Sequence, residues 1–211
     1  GLKKEETSIK TTGSKIHWRP DTEVFTDINI EIDYFKEILK RQCVVNAGLK
    51  FELYDEETDE TFYFCYEEGI KDYIKEIAGE KSFIEPVYYS HETKGKDRED
   101  KDEYKLKFEM AFTFNNEVNI VEYYHNSSFL EYGGSPDKAV KSAFVFAIDK
   151  YIKSNNLYKK DEKKIVYSDI EDSLIMVINS FSTQTSYENQ TKKAITNKFI
   201  QDAMTDFLKE R

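Results

Sequence analysis

Residues Ser173–Glu210 read SLIMVINSFSTQTSYENQTKKAITNKFIQDAMTDFLKE, two strongly apolar segments joined by a polar one. Its first part, SLIMVINSF, is a β-branched, almost uninterrupted apolar run bounded by polar residues, the signature of a strand buried on both faces. Its last part places Ile195, Phe199, Ile200, Ala203, Met204, Phe207 and Leu208 at helical spacing, which predicts an amphipathic closing helix. Between them lies a polar loop, SYENQTKKAITN from Ser186 to Asn197, with only Tyr187, Ala194 and Ile195 departing from its polar character.

Moving back along the chain, Gly133 and Gly134 break the sequence before a second helix. Ser135 is placed to cap it, Pro136 suits its first position, and Asp137 favours the positive end of its dipole. Ala139, Val140, Ala143, Phe144, Ala147, Ile148, Tyr151 and Ile152 form one apolar stripe that needs a sheet or a helix to cover it. Before this helix, YKLKFEMAFTF and NIVEYYHN joined at NNEV read as one long antiparallel hairpin from Tyr104 to Asn126. PVYYSHE is a further strand, separated from the hairpin by KGKDREDKD, whose mixed charges predict a solvated loop.

The N-terminal portion repeats the mixture. TTGSKIHWRP, from Thr11, predicts a turn and a short strand with Ile16 and Trp18 on one face, ended by Pro20. IDYFKEILKRQCVVN is a helix stopped by Gly48; LKFELYD and TFYFCYE form a hairpin; IKDYIKEI is a short amphipathic helix ending near Gly79. Strands and helices in this order give an α+β architecture, with a boundary expected near residues 79–86.

Composition narrows the function. The 211 residues carry 31 basic and 41 acidic side chains, a net charge of -10, which disfavours a free-standing nucleic-acid-binding domain. Only four residues are arginine (Arg19, Arg41, Arg98, Arg211), so lysine must do most of any anion binding. With 39% hydrophobic residues, 15 Phe and 15 Tyr, the chain has the material for a core although 34% of it is charged. No apolar run approaches the roughly 18 residues that span a bilayer, and no apolar signal region opens the chain, so a cytoplasmic protein without membrane contact is expected. Cys43 and Cys65 lack a CxxC spacing and are expected to be reduced, packed thiols.

Most catalytic signatures are missing. The sequence has no GxxxxGK, GxGxxG, GxSxG or HExxH. His17, His91 and His125 lie far apart and are expected to be strand or surface residues, with no metal site. Acidic pairs such as Glu67 with Glu68 and Glu171 with Asp172 follow from an acidic composition and are expected to be solvated or to cap helices. The Ser186–Asn197 loop is the exception. An amide (Gln190), a hydroxyl (Thr191) and long cations (Lys192, Lys193) together at a helix start can reach an oxyanion such as a terminal phosphate. Read blandly, the same residues make a surface loop whose lysines meet water.

This loop resembles the Gln-Thr-Lys loop of the gyrase B and topoisomerase IV family. The resemblance extends to TTGSKIHWRPDTEVF, to LKFELYDEETDETFYFCYEEGIKDYIKEI and to EYGGSPDKAVKSAFVFAIDKYI, in the family's order and spacing from about Thr11 to the C-terminus. Where relatives have Gly-Gly-Thr-His, this chain has Gly133, Gly134, Ser135 and Pro136, and Glu171, Asp172 and Ser173 replace an Arg-Glu-Gly triplet.

The resemblance implies that residues 1–82 are the C-terminal portion of an ATPase sandwich of the gyrase, chaperone and mismatch-repair type. Residues 83–211 would be a transducer domain, a mostly antiparallel sheet covered by helices. It implies ATP and Mg2+ as cofactors, their main ligands preceding this region. Gln190 and Lys192 would reach into the ATP pocket as catalytic and nucleotide-binding residues, Lys192 at the γ-phosphate. Ser14, beside Gly13, falls where the family recognises adenine. The implied activity is DNA strand passage by an ATP-hydrolysing type IIA topoisomerase. Its partners would be an A subunit, DNA through the holoenzyme, and a second B subunit on ATP binding; the 211 residues alone are expected to be inactive. A mismatch-repair-type ATPase fragment and a nucleotide-independent interaction module are the alternatives.

Overall fold

The computed structural model describes Ser8 and residues 12–211. Its organising element is strand β8 (Leu174–Ser182), whose first seven residues are all buried. It lies in the middle of a five-stranded sheet ordered β3-β4-β8-β5-β6, where the others are β3 (Val87–Gly95), β4 (Tyr104–Phe114), β5 (Ile120–His125) and β6 (Ser128–Phe129). Successive side chains of a strand face opposite sides. Leu174, Met176 and Ile178 therefore enter one core, and Ile175 and Val177 the other.

The first core is covered by α3 (Ser135–Ser154) and α5 (Lys198–Glu210), through Ala139, Val140, Ala143 and Phe144 and through Ile200, Met204, Phe207 and Leu208, with Ile170 added by the short helix α4 (Tyr167–Glu171). The second is covered by α1 (Ile32–Val45) and α2 (Ile70–Ala78), with Cys43, Val44, Val45, Ile70, Tyr73 and Ile74 against Ala111, Tyr124, Ile175 and Val177. The hairpin of β1 (Lys50–Asp55) and β2 (Glu60–Cys65) stands beside α1. This is an α+β fold with a mixed sheet. Cys43 is buried and Cys65 is exposed, and both are free.

Four expectations are corrected. β4 and β5 do not form a hairpin: β8 inserts between them, antiparallel to β4 and parallel to β5. A fully apolar strand gains most at the centre, where both faces are covered, and residues 115–119 suffice to cross the roughly 10 Å of two strand spacings. Asn115 holds that crossing, its Oδ1 accepting from the Glu117 N–H at 2.6 Å and its Nδ2 donating to the Ala78 carbonyl at 3.1 Å. Residues 12–21 form no strand. No neighbouring strand among the described residues offers a ladder there, and Ile16 and Trp18 are 86% and 56% exposed; Thr11 lies outside the described residues. Ser135 is the first residue inside α3 rather than its cap, and its Oγ donates instead to the Ile195 carbonyl at 3.2 Å. The stripe of α3 is fully buried only in its first half; beyond it Ile148 and Ile152 are half-buried and Ala147 and Tyr151 exposed.

Candidate functional site

The chain leaves β8 at Ser182 and enters α5 at Lys198, and the intervening loop is braced at both ends. At its exit, the short strand β9 (Ala194–Ile195) pairs in parallel with β7 (Gly133–Gly134), directly before α3. Only glycine fits at 134. Its φ is +82°, and a Cβ would sit 2.2 Å from the Ile195 carbonyl oxygen. Ile195 thus belongs to this pairing and not to the closing helix, where its spacing places it.

Inside the loop the backbone folds on itself. The Glu188 N–H donates to the Ala194 carbonyl at 3.0 Å and the Thr196 N–H to the Ser186 carbonyl at 2.8 Å. The tip is a tight turn around Asn189, whose Oδ1 accepts from the Thr191 N–H at 3.1 Å and whose carbonyl accepts from the Lys192 N–H at 3.2 Å. Lys192 has left-handed backbone, φ +58°. Gln190 and Lys192 are exposed at this tip.

The two lysines have different surroundings. Lys193 forms an ion pair with Glu131, and its N–H···O contact lifts the ammonium above its ordinary range while lowering the Glu131 carboxyl. Its carbonyl also accepts from the Tyr132 N–H at 3.0 Å. Lys192 has no ion pair among the described residues; its ammonium lies 5.5 Å from the centre of the Tyr187 ring. The loop therefore offers one uncommitted cation beside one amide, a fit for an anion.

Two supports escaped the sequence reading. Asp97, in the charged loop expected to be solvated, accepts from the Phe199 N–H, the Tyr104 hydroxyl and Asn197 Nδ2, each at 2.9 Å. It caps α5 from across the fold. Burial and this carboxylate push the Tyr104 hydroxyl up, keeping it a donor. Asn197 in turn accepts from the Ser186 N–H at 2.7 Å, tying the loop's two ends together. At the entry, buried His125 lies within hydrogen-bond distance of Ser180, Ser182 and Thr185. Each of these residues is an ordinary polar residue in sequence; only the sheet pairing brings them together.

Gly13 and Ser14 are exposed, and no hydrogen bond or ion pair among the described residues links them to Gln190 or Lys192. Among the described residues no cluster of three or more His, Cys, Asp or Glu is arranged to hold a metal ion.

The sequence pattern of DNA gyrase B matches residues 69–211, more than half the chain. The chain belongs to the DNA gyrase B family. It is 28% identical over 201 residues to the DNA gyrase B protein of Clostridium acetobutylicum, covering 94% of this chain and 30% of that protein. With the DNA gyrase B protein of Metamycoplasma hominis the identity is 27%, over 94% of this chain and 32% of that protein. The chain thus spans about a third of the length of these gyrase B relatives. The fold is that of the 43K ATPase domain of Thermus thermophilus gyrase B, solved with an aminocoumarin (TM-score 0.66, 20% identity, 91% of this chain and 50% of that one). It is equally that of the DNA gyrase B protein from Myxococcus xanthus (TM-score 0.71, 15% identity, 90% and 52%). The structures share the α+β architecture expected from the sequence. No helix among the described residues is long and apolar enough to cross a membrane.

Proposed function

We propose that this chain is the part of a gyrase-type B subunit that couples ATP binding and hydrolysis to DNA strand passage, with Gln190 and Lys192 reaching into the ATP pocket and Lys192 contacting the γ-phosphate. The observation that carries the reading is the contrast between the two lysines: Lys193 is held by Glu131, whereas Lys192 has no acidic partner among the described residues and stands at the tip of a loop braced at both ends. An exposed ammonium beside an amide suits a phosphate oxygen, and a rigid loop loses little entropy on meeting it.

Residues up to 82 would contribute the closing part of the ATPase domain, with Gly13 and Ser14 near the adenine, and residues 83–211 the transducer. ATP would enter with Mg2+ bound largely by residues outside this chain. A γ-phosphate held by Lys192 favours one arrangement of the nucleotide-binding portion and the loop, and its loss removes that differential contact. The partners in this reading are an A subunit, DNA reached through the holoenzyme, and a second B subunit when ATP binds, all in the cytoplasm. A net charge of -10 directs DNA contact to basic surface elsewhere in the assembly.

The test is DNA-stimulated ATP hydrolysis by the full-length protein reconstituted with its partner subunit. Lys192→Ala should lower turnover by about ten-fold or more and Lys193→Ala by no more than about two-fold. Equal, unchanged turnover in both variants would instead indicate a nucleotide-independent module.

A further inference from the structure

His125 ends β5 and pairs in parallel register with Ser180 of β8. It is a fully buried polar residue. Its ring contacts three hydroxyls: Nδ1 lies 2.8 Å from Ser180 Oγ, and Nε2 lies 2.9 Å from Thr185 Oγ1 and 3.1 Å from Ser182 Oγ. Each hydroxyl has one proton to give. Ser180 Oγ donates to the Tyr124 carbonyl at 3.0 Å, so toward the ring it can only accept, which puts a proton on Nδ1. Ser182 Oγ donates to the Gln184 carbonyl at 2.6 Å. Thr185 Oγ1 accepts a hydrogen bond from Asn126 Nδ2 at 3.1 Å and has its own hydrogen to donate, either to Nε2 or to Ser182 Oγ at 3.2 Å. Ser180 thus fixes a proton on Nδ1, and the fully buried ring has no carboxylate partner among the described residues to sustain a second one, so Nε2 accepts from Thr185 while Ser182, its hydrogen spent on Gln184, makes no hydrogen bond to it.

We propose that His125, as the neutral Nδ1–H tautomer, is a positioning residue that fixes Thr185 and through it the root of the loop carrying Gln190 and Lys192. The inference rests on the reading that Lys192 contacts nucleotide. The chain of contacts is short. Asn126 clamps the same root from the other side, accepting from the Ser182 N–H at 3.1 Å and donating to the Ser182 carbonyl at 3.2 Å. At the far end Asn197 and the β7–β9 pairing close the loop. Thr185 is the point where the chain leaves the sheet and still answers to it. Burial holds the His125 pKa down to about 4, in keeping with a ring that stays neutral.

Two measurements test this. In the 15N-histidine-labelled full chain, which has three histidines, His125 should show a pyrrole-type Nδ1 and a pyridine-type Nε2 at neutral pH. An Nε2–H tautomer, or a charged ring, overturns the assignment whatever the activity. In the full-length protein with its partner, Thr185→Val should lower ATP turnover about five-fold, and His125→Leu should do the same, with His125→Gln restoring most of it because its amide oxygen can accept from Thr185. The loss caused by Thr185→Val should shrink below about two-fold in a Lys192→Ala background, since a residue acting through Lys192 has nothing further to remove. Equal losses in both backgrounds mean a merely structural role and overturn the proposal. A large effect of Lys192→Ala with none of Thr185→Val overturns it too, while leaving the nucleotide reading intact; no effect of Lys192→Ala fails that reading instead.

Discussion

Lys193 and Glu131 are paired across the exit of the loop, one residue away from a lysine that is paired with no acid among the described residues. The pair is about half exposed, its side chains retaining 41% and 46% of their accessibility. Exposed ion pairs add little to stability because water already solvates both charges. The anchoring at this point is instead backbone: the Tyr132 N–H to the Lys193 carbonyl, and β7 against β9. Lys193→Ala is therefore expected to shift the melting temperature by no more than about 3 °C. A calorimetric scan beside wild type checks it, and a larger loss would mean that the ion pair, not the backbone, sets the loop exit.

Gly134 is where that backbone anchoring is most vulnerable. Its φ of +82° disfavours any L side chain, and the added Cβ would meet backbone, the Ile195 carbonyl at 2.2 Å and the Ile195 nitrogen at 2.8 Å. Backbone cannot rotate aside as a flexible side chain can. Gly134→Ala should cost about 3 kcal/mol or more in urea unfolding. Gly79→Ala is the control: φ of +56° with ψ of -154° is also a glycine conformation but open space surrounds the new methyl, so only the conformational cost of about 2 kcal/mol is expected. Similar losses in the two variants would show that conformation, and not the approach of Ile195, governs position 134.

Most elements were legible in the sequence because their signals are local. The helices α1, α2 and α5, the β1–β2 hairpin and the apolar run of β8 stand where their patterns placed them, except that Ile195 leaves the stripe of α5 for the β7–β9 pairing. Pairing was not legible. The turn at residues 115–119 looks like a hairpin connection, and nothing within it says that β8, some sixty residues later, displaces β5 from β4. The supports of the loop failed for the same reason. His125 reads as an ordinary strand histidine until the parallel register sets it beside Ser180, and Asp97 reads as one more charge in KGKDREDKD until β3 and β4 fold it back onto the start of α5. The lysine tip, by contrast, was visible as a polar loop between two strongly apolar elements.

Asn197 joins both supports of the loop exit. Its Oδ1 takes the Ser186 N–H at 2.7 Å, and its Nδ2 serves Asp97 at 2.9 Å and Tyr104 at 3.0 Å, with only 2% of the residue exposed. Asn197→Ala strands the Ser186 N–H and removes a donor from Asp97, and should cost about 2–3 kcal/mol. Asn197→Asp keeps the shape but sets a carboxylate against Asp97. It should be less stable than the alanine variant at pH 7 and gain relative to it as pH falls toward 4 and one of the two acids takes a proton. Parallel denaturant titrations of the two variants at both pH values decide this; an aspartate variant as stable as wild type at pH 7 would mean that Asp97 does not depend on Asn197 as its donor.

The buried ring of His125 makes the stability of the fold depend on pH with a definite sign. In the unfolded chain the imidazole titrates near its ordinary value of about 6.5, whereas burial holds it to about 4 in the native state. Between those values the unfolded state binds a proton that the native state does not, so stability falls as pH is lowered through this window. The contribution is fully present above about pH 6.5 and levels off below about pH 4, amounting to something on the order of 3 kcal/mol. Carboxylates titrate over part of the same range, so the informative quantity is the difference between wild type and His125→Gln, which keeps their contribution in common. That difference should favour wild type at pH 7 and narrow steadily toward pH 4.5 in a series of urea titrations. A gap that stays constant with pH would mean that His125 binds its proton equally in both states, and that the three hydroxyls around it do not hold a neutral ring.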